Sequence, residues 1–106
     1  MREIEFKVPR GCDLVRAERV IEGIVEERGL EIHSKGTLAS FRGSTHWHCK
    51  KHGQTGTLEL TLNVPDGRVW AQVQDGRRAA WIEKELPGLK REIEKQLRRR
   101  ARDQPA

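Results

Sequence analysis

Residues 57–73, TLELTLNVPDGRVWAQV, constrain this chain's fold more than any other stretch. Leu58, Leu60, Leu62 and Val64 alternate with polar neighbours, and Val69, Ala71 and Val73 resume the alternation after a PDG turn. Alternation of period two marks a strand with one buried face, and proline followed by Asp-Gly is turn chemistry. With Pro65 to Arg68 as the loop, Val64 opposes Val69 and Leu62 opposes Ala71, so the two apolar faces coincide. A hairpin with one apolar face needs something to cover it.

The rest of the chain supplies that cover. EIEFKV at residues 3–8 alternates as a further strand, ended by Pro9 and Gly11. Asp13 is an N-cap for a helix over about 13–28, with Leu14, Ala17, Ile21 and Ile24 at helical spacing; Gly29 stops it and Leu30 is the apolar residue beyond. LEIHSKGTLASF reads as a strand broken or bulged at Gly36, and GSTHWHCKKH at 43–52 as another strand. After Gly76, Ile82, Leu86, Leu89, Ile93 and Leu97 form one helical stripe, which Pro87 is expected to kink or split.

The predicted fold is therefore α+β: a two-layer sandwich with a mainly antiparallel sheet of four to five strands and two helices on one face, in the order β-α-β-β-β-β-α. Residues 1–97 form a single domain, since 106 residues support one core and no repeat or linker interrupts them. Residues 98–106, RRRARDQPA, have no apolar face and read as a basic, disordered tail.

Composition narrows the function classes. No apolar run approaches the roughly 20 residues of a membrane span, and the first residues carry acids and no apolar signal core, so a cytoplasmic location is expected. Cys12 and Cys49 are too few for a disulfide framework. The net charge is +5, and its distribution is uneven: residues 1–75 hold 11 Lys+Arg and 11 Asp+Glu, residues 76–106 hold 10 and 5. A basic C-terminal third suggests an acidic partner, nucleic acid first.

In the strand at 43–52, Trp47 and Cys49 point one way, to the core, and His46, His48 and Lys50 point the other. On the following strands Arg68 and Trp70 share the open face. Cations and an aromatic ring on an open antiparallel sheet are the ingredients of a platform for RNA or single-stranded DNA, where bases stack and phosphates pair with Lys or Arg. The plainer alternative has Trp70 packed under a loop or a second subunit. Arg77 and Arg78 fall at the start of the last helix, where free backbone N–H groups favour an anion. The predicted nucleic-acid contacts are thus His46, His48, Lys50, Arg68, Trp70, Arg77 and Arg78, with Arg98, Arg99, Arg100 and Arg102 adding unspecific attraction.

Two histidines at i and i+2 of a strand can share a metal, but a structural zinc wants four ligands, Cys49 faces away, and neither a CxxC nor an HExxH pair exists. Glu59 falls on the same open face, as an acid–base partner for His46 or His48 or, more simply, as a cross-strand partner of Lys50. The sequence contains no GxSxG, GxxxxGK[ST] or GxGxxG motif, so no catalytic residue, metal or cofactor is assigned. The rival to nucleic-acid binding is a homo-oligomeric interaction module, a homodimer in its simplest form, that buries the same sheet face or a sheet edge.

The order helix, three strands, helix resembles that of the double-stranded RNA-binding domain. GRRAAW is the single trace of that family's lysine-rich signature at the last helix.

Overall fold

The computed structural model describes residues 2–103, and side-chain surroundings for residues 2–101. Five strands form one antiparallel sheet: β1 (Arg2–Glu5), β2 (Glu31–Gly36), β3 (Ser44–Lys50), β4 (Leu58–Asn63) and β5 (Arg68–Val73), in the spatial order β1-β5-β4-β3-β2. The helices α1 (Ala17–Glu27) and α2 (Ala80–Asp103) share one face of it. This is the α+β sandwich and element order that the hydrophobic pattern predicts. Four strands rather than three separate the helices, so the likeness in order to the double-stranded RNA-binding domain does not extend to the sheet. Among the described residues, no helix is long and apolar enough to cross a membrane.

The core lies between sheet and helices. Trp47 and Cys49 of β3, Leu58, Leu60 and Leu62 of β4, and Val69, Ala71 and Val73 of β5 meet Ile21, Ile24 and Val25 of α1 and the full stripe Ile82, Leu86, Leu89, Ile93 and Leu97 of α2, all buried. At roughly 1.5–3 kcal/mol for each large apolar side chain removed from water, this layer is the main source of stability. Trp47 lies in the core with its indole N–H donating to Glu22 Oε2 at 2.9 Å. Burial works to raise the Glu22 pKa, but the hydrogen bonds from Lys35 and Trp47 outweigh it and leave the carboxyl below its ordinary range.

The ends of α1 follow the sequence closely. Asp13 accepts from the Val15 N–H at 3.0 Å, although the first turn it caps is a 3-10 turn (Leu14–Arg16). At the other end Gly29, at φ +79°, donates to the Glu26 carbonyl and Leu30 donates to that of Val25, the paired bonds of a Schellman motif, with Leu30 buried beyond them.

Four local expectations change. The β4–β5 register is Leu62 to Val69 and Leu60 to Ala71, two residues from the predicted pairing. Faces are unchanged because the shift is even. The loop takes in Val64, where Gly67 at φ +65° donates to the Val64 carbonyl and Asn63 Nδ2 donates to Asp66. Strand β2 does break off at Gly36, but its bulge-like irregularity falls earlier, between Ile32 and Ser34, at His33. Of the kink or split expected at Pro87, the split does not occur: α2 is one element, in which the proline forgoes the bond to the Glu83 carbonyl while Leu86 and Leu89 hold both sides in the core. It also continues past Leu97 to Asp103, since arginine is a good helix former and no glycine or proline intervenes. Residues 104–106 of the predicted tail lie outside the described residues.

Candidate functional site

The sheet face away from the helices is where the sequence places the ligand contacts. Its central strand carries Glu59, Thr61 and Asn63, flanked by Ser44, His46 and His48 on β3 and by Arg68, Trp70 and Gln72 on β5. Most of these polar groups are buried. Buried polar groups need partners, and His46, Thr61, Glu59, Gln72 and Trp70 find them in one network, while Ser44 accepts from the Leu38 N–H and Asn63 donates to Asp66. His46 Nδ1 lies 2.7 Å from Thr61 Oγ1, and His46 Nε2 lies 3.0 Å from Glu59 Oε1. The same Glu59 oxygen accepts from Gln72 Nε2 at 3.3 Å, and Trp70 Nε1 donates to Gln72 Oε1 at 3.2 Å. His48 Nε2 is 3.7 Å from Glu59 Oε1. Glu59 Oε2 is buried with no partner.

Trp70 is not a stacking platform. It is only 2 % exposed, with Phe41 from the β2–β3 connection set edge-on against it at 5.2 Å and the Arg68 guanidinium 4.4 Å over its ring. Every ring face has a better use in excluding water than in waiting for a base. Arg68 is likewise committed: it pairs with Glu5 and lies 3.8 Å from Glu3, both on β1. His46 is buried inside the network. None of these three predicted contacts therefore presents a free surface to a nucleic acid in this structure. The folding of β1 back beside β5, which brings the acids to Arg68, is a long-range event that strand parity does not disclose.

The other predicted residues come together elsewhere, at the edge of the face. A polar cleft of about 340 Å³ is lined by His33, His48, Lys50 and Arg77 with Gly56, Thr57 and Gly76. Among the described residues no acid lines it, and neither Lys50 nor Arg77 forms an ion pair. Arg77 ends a 3-10 turn (Asp75–Arg77) and Arg78 is extended, so both precede α2 rather than open it as predicted. Arg78 is exposed just beyond the cleft.

Local backbone geometry builds this cleft. Thr57 N–H donates to the Arg77 carbonyl at 3.0 Å, tying the β3–β4 loop to the turn before α2. Gly56 makes the approach feasible: it sits at φ +101°, and a Cβ there would come within 2.6 Å of Ala79 Cβ and 3.1 Å of the Arg77 carbonyl. Trp81 locks the same loop by donating to the Thr55 carbonyl at 2.7 Å. His33 arrives through the β2 irregularity, the kind of feature that re-aims a side chain. His33, Gly56 and Thr57 are absent from the sequence-based set; HGQTG carries a loop signal but nothing that identifies its partner segment.

The electrostatics follow. Burial pushes the His48 pKa down; Glu59 pulls it up, while His46, Arg77 and His33 push it further down. His48 is thus a neutral imidazole near pH 7, between a carboxylate behind and cations in front. Cys49, on the opposite face, is pushed up to about 12 by burial and takes no part. One ring nitrogen from each of His46 and His48 and a Glu59 carboxylate oxygen lie within 4.8 Å of one another, a set able to hold a metal ion.

No protein-family model matches the sequence, and neither a curated protein nor a solved structure is detectably similar to it.

Proposed function

We propose that the protein binds the phosphate backbone of a single-stranded nucleic acid, RNA or single-stranded DNA, in the cleft between the β3–β4 loop and the turn before α2. The observation that carries this reading is the convergence of Lys50, Arg77, His33 and His48 on one cleft that no acid lines. Unpaired Lys and Arg retain their charge for a ligand, whereas Arg68, held by two carboxylates, has largely spent its own. Arg78 and the exposed Arg98 and Arg99 on α2 extend the positive field without defining a site. A concave cleft accommodates a single strand; duplexes are read by elements that protrude into a groove. With Trp70 covered, affinity rests on phosphate contacts and carries little base preference.

The test is a fluorescence-anisotropy titration of labelled single- and double-stranded RNA and DNA over a range of salt, with the wild type and the Lys50→Ala/Arg77→Ala double variant. Each phosphate contact to a single strand contributes about 0.7 to the slope of log K against log salt. The double variant should therefore bind more weakly, with a slope smaller by about 1.4. An equal affinity and slope in the double variant would remove the cleft from the account.

A further inference from the structure

We propose that His46, His48 and Glu59 form a binding site for one first-row divalent metal ion, with zinc as the probe. Three features of the sheet support it, and none depends on nucleic-acid binding.

The first is placement. His46 and His48 project from one face of β3, and Glu59 of β4 is the register partner of His48, not of Lys50 as strand parity alone allows. Glu59 Oε1 lies 3.0 Å from His46 Nε2 and 3.7 Å from His48 Nε2. Two donors held at about 2.1 Å from a tetrahedral ion are roughly 3.4 Å apart, which these two distances bracket. Two imidazoles and a carboxylate form a three-ligand set with room for an exchangeable ligand.

The second is the orphaned oxygen. Glu59 is only 5 % exposed, yet one carboxylate oxygen gathers all its hydrogen bonds and the other has no partner. A buried carboxylate with one oxygen unpartnered is costly, and a cation held between it and the two imidazoles offsets that cost through the charge of the whole group, whichever oxygen ligates it. Cys49 cannot supply it from the core side of β3.

The third is the outer layer. Thr61 Oγ1 beside His46 Nδ1 can accept its proton, which leaves the Nε2 lone pair directed at the ligand cluster. Without a metal, the same ring must carry its proton on Nε2 to satisfy Glu59. Gln72, itself held by Trp70 Nε1, fixes the carboxylate. His48 is partly exposed and lines the cleft, so the ion has a route in.

Equilibrium dialysis of the full chain, stripped with chelator and then offered zinc without any oligonucleotide, tests the site. The expected result is one zinc per chain. Affinity falls at least about 100-fold in His48→Gln and Glu59→Gln and 10–100-fold in Thr61→Val, the range seen for outer-layer partners. It is unchanged in His52→Gln, whose side chain is 92 % exposed outside the cluster. His48→Gln alters a partly exposed ring and keeps the core intact, so it remains informative should Glu59→Gln fold poorly. Cobalt(II) should give the intense visible bands of a low-coordinate site in the wild type and lose them in His48→Gln. Zinc uptake equal in wild type and His48→Gln, or no uptake above that of a chain lacking all three ligands, would overturn the proposal.

Discussion

Trp70 decides which chemistry the open sheet face can perform. An exposed tryptophan there would be a base-stacking surface; under Phe41 and Arg68 it is instead the apolar centre of a second, small core beyond the sheet. Replacing it should consequently cost stability before it costs binding. Trp70→Ala is expected to lower the free energy of unfolding by about 3–5 kcal/mol in urea titrations, as for other buried aromatic truncations. A loss below about 1 kcal/mol, the scale of a surface change, would mean the ring is not buried in solution. Arg68→Ala should cost far less, because its ion pairs are exposed.

At the scale of elements, the loop between β3 and β4 and the turn before α2 act as one unit, and Gly56 is the residue that lets them meet. Gly56→Ala combines a positive φ with a Cβ 2.6 Å from Ala79 Cβ. It should destabilise the fold by about 1–3 kcal/mol and weaken oligonucleotide binding by displacing Arg77. Gly23→Ala, mid-helix with nothing within 4 Å of the added Cβ, should instead stabilise by roughly 0.5–1 kcal/mol in the same denaturation experiment. The opposite order would contradict the geometry assigned to this unit.

These elements also mark where the sequence is legible and where it is not. Leu58 to Val73 declare two strands because alternation is a local signal, and Asp13, Gly29 and Leu30 declare the ends of α1 because capping is local. The two-residue offset of the hairpin is invisible to a pattern of period two, which any even shift preserves. The irregularity at His33 and the contact of Gly56 with Ala79 depend on partners distant in sequence, and no residue type announces them. Parity correctly places His46, His48 and Glu59 on one face, but whether a residue on that face is covered is a tertiary property. That is why His48, Lys50 and Arg77 meet in the cleft while Arg68 and Trp70 do not.

On the scale of the whole molecule, the sheet separates two kinds of work. The helix-covered face holds the apolar core and the thiol of Cys49, kept inert by burial. The opposite face holds a polar network that ends, at one edge, in a cleft lined by cations. Of the outer strands, β1 is short and charged and β2 carries Glu31 and Lys35 and is irregular at His33, features that oppose edge-to-edge pairing of copies. Beyond Arg77 and Arg78, α2 itself carries 8 Lys+Arg against 5 Asp+Glu, so a polyanion could be held by that helix alone without using the cleft. Whether the proposed binding is localised to the cleft is read from an amide chemical-shift titration of the isotope-labelled full chain with a short single-stranded RNA at physiological salt. The account predicts that the largest shifts cluster at His33, His48, Lys50, Gly56, Thr57 and Arg77. Shifts confined to Arg98–Asp103 of α2, with those cleft amides unmoved, would contradict it.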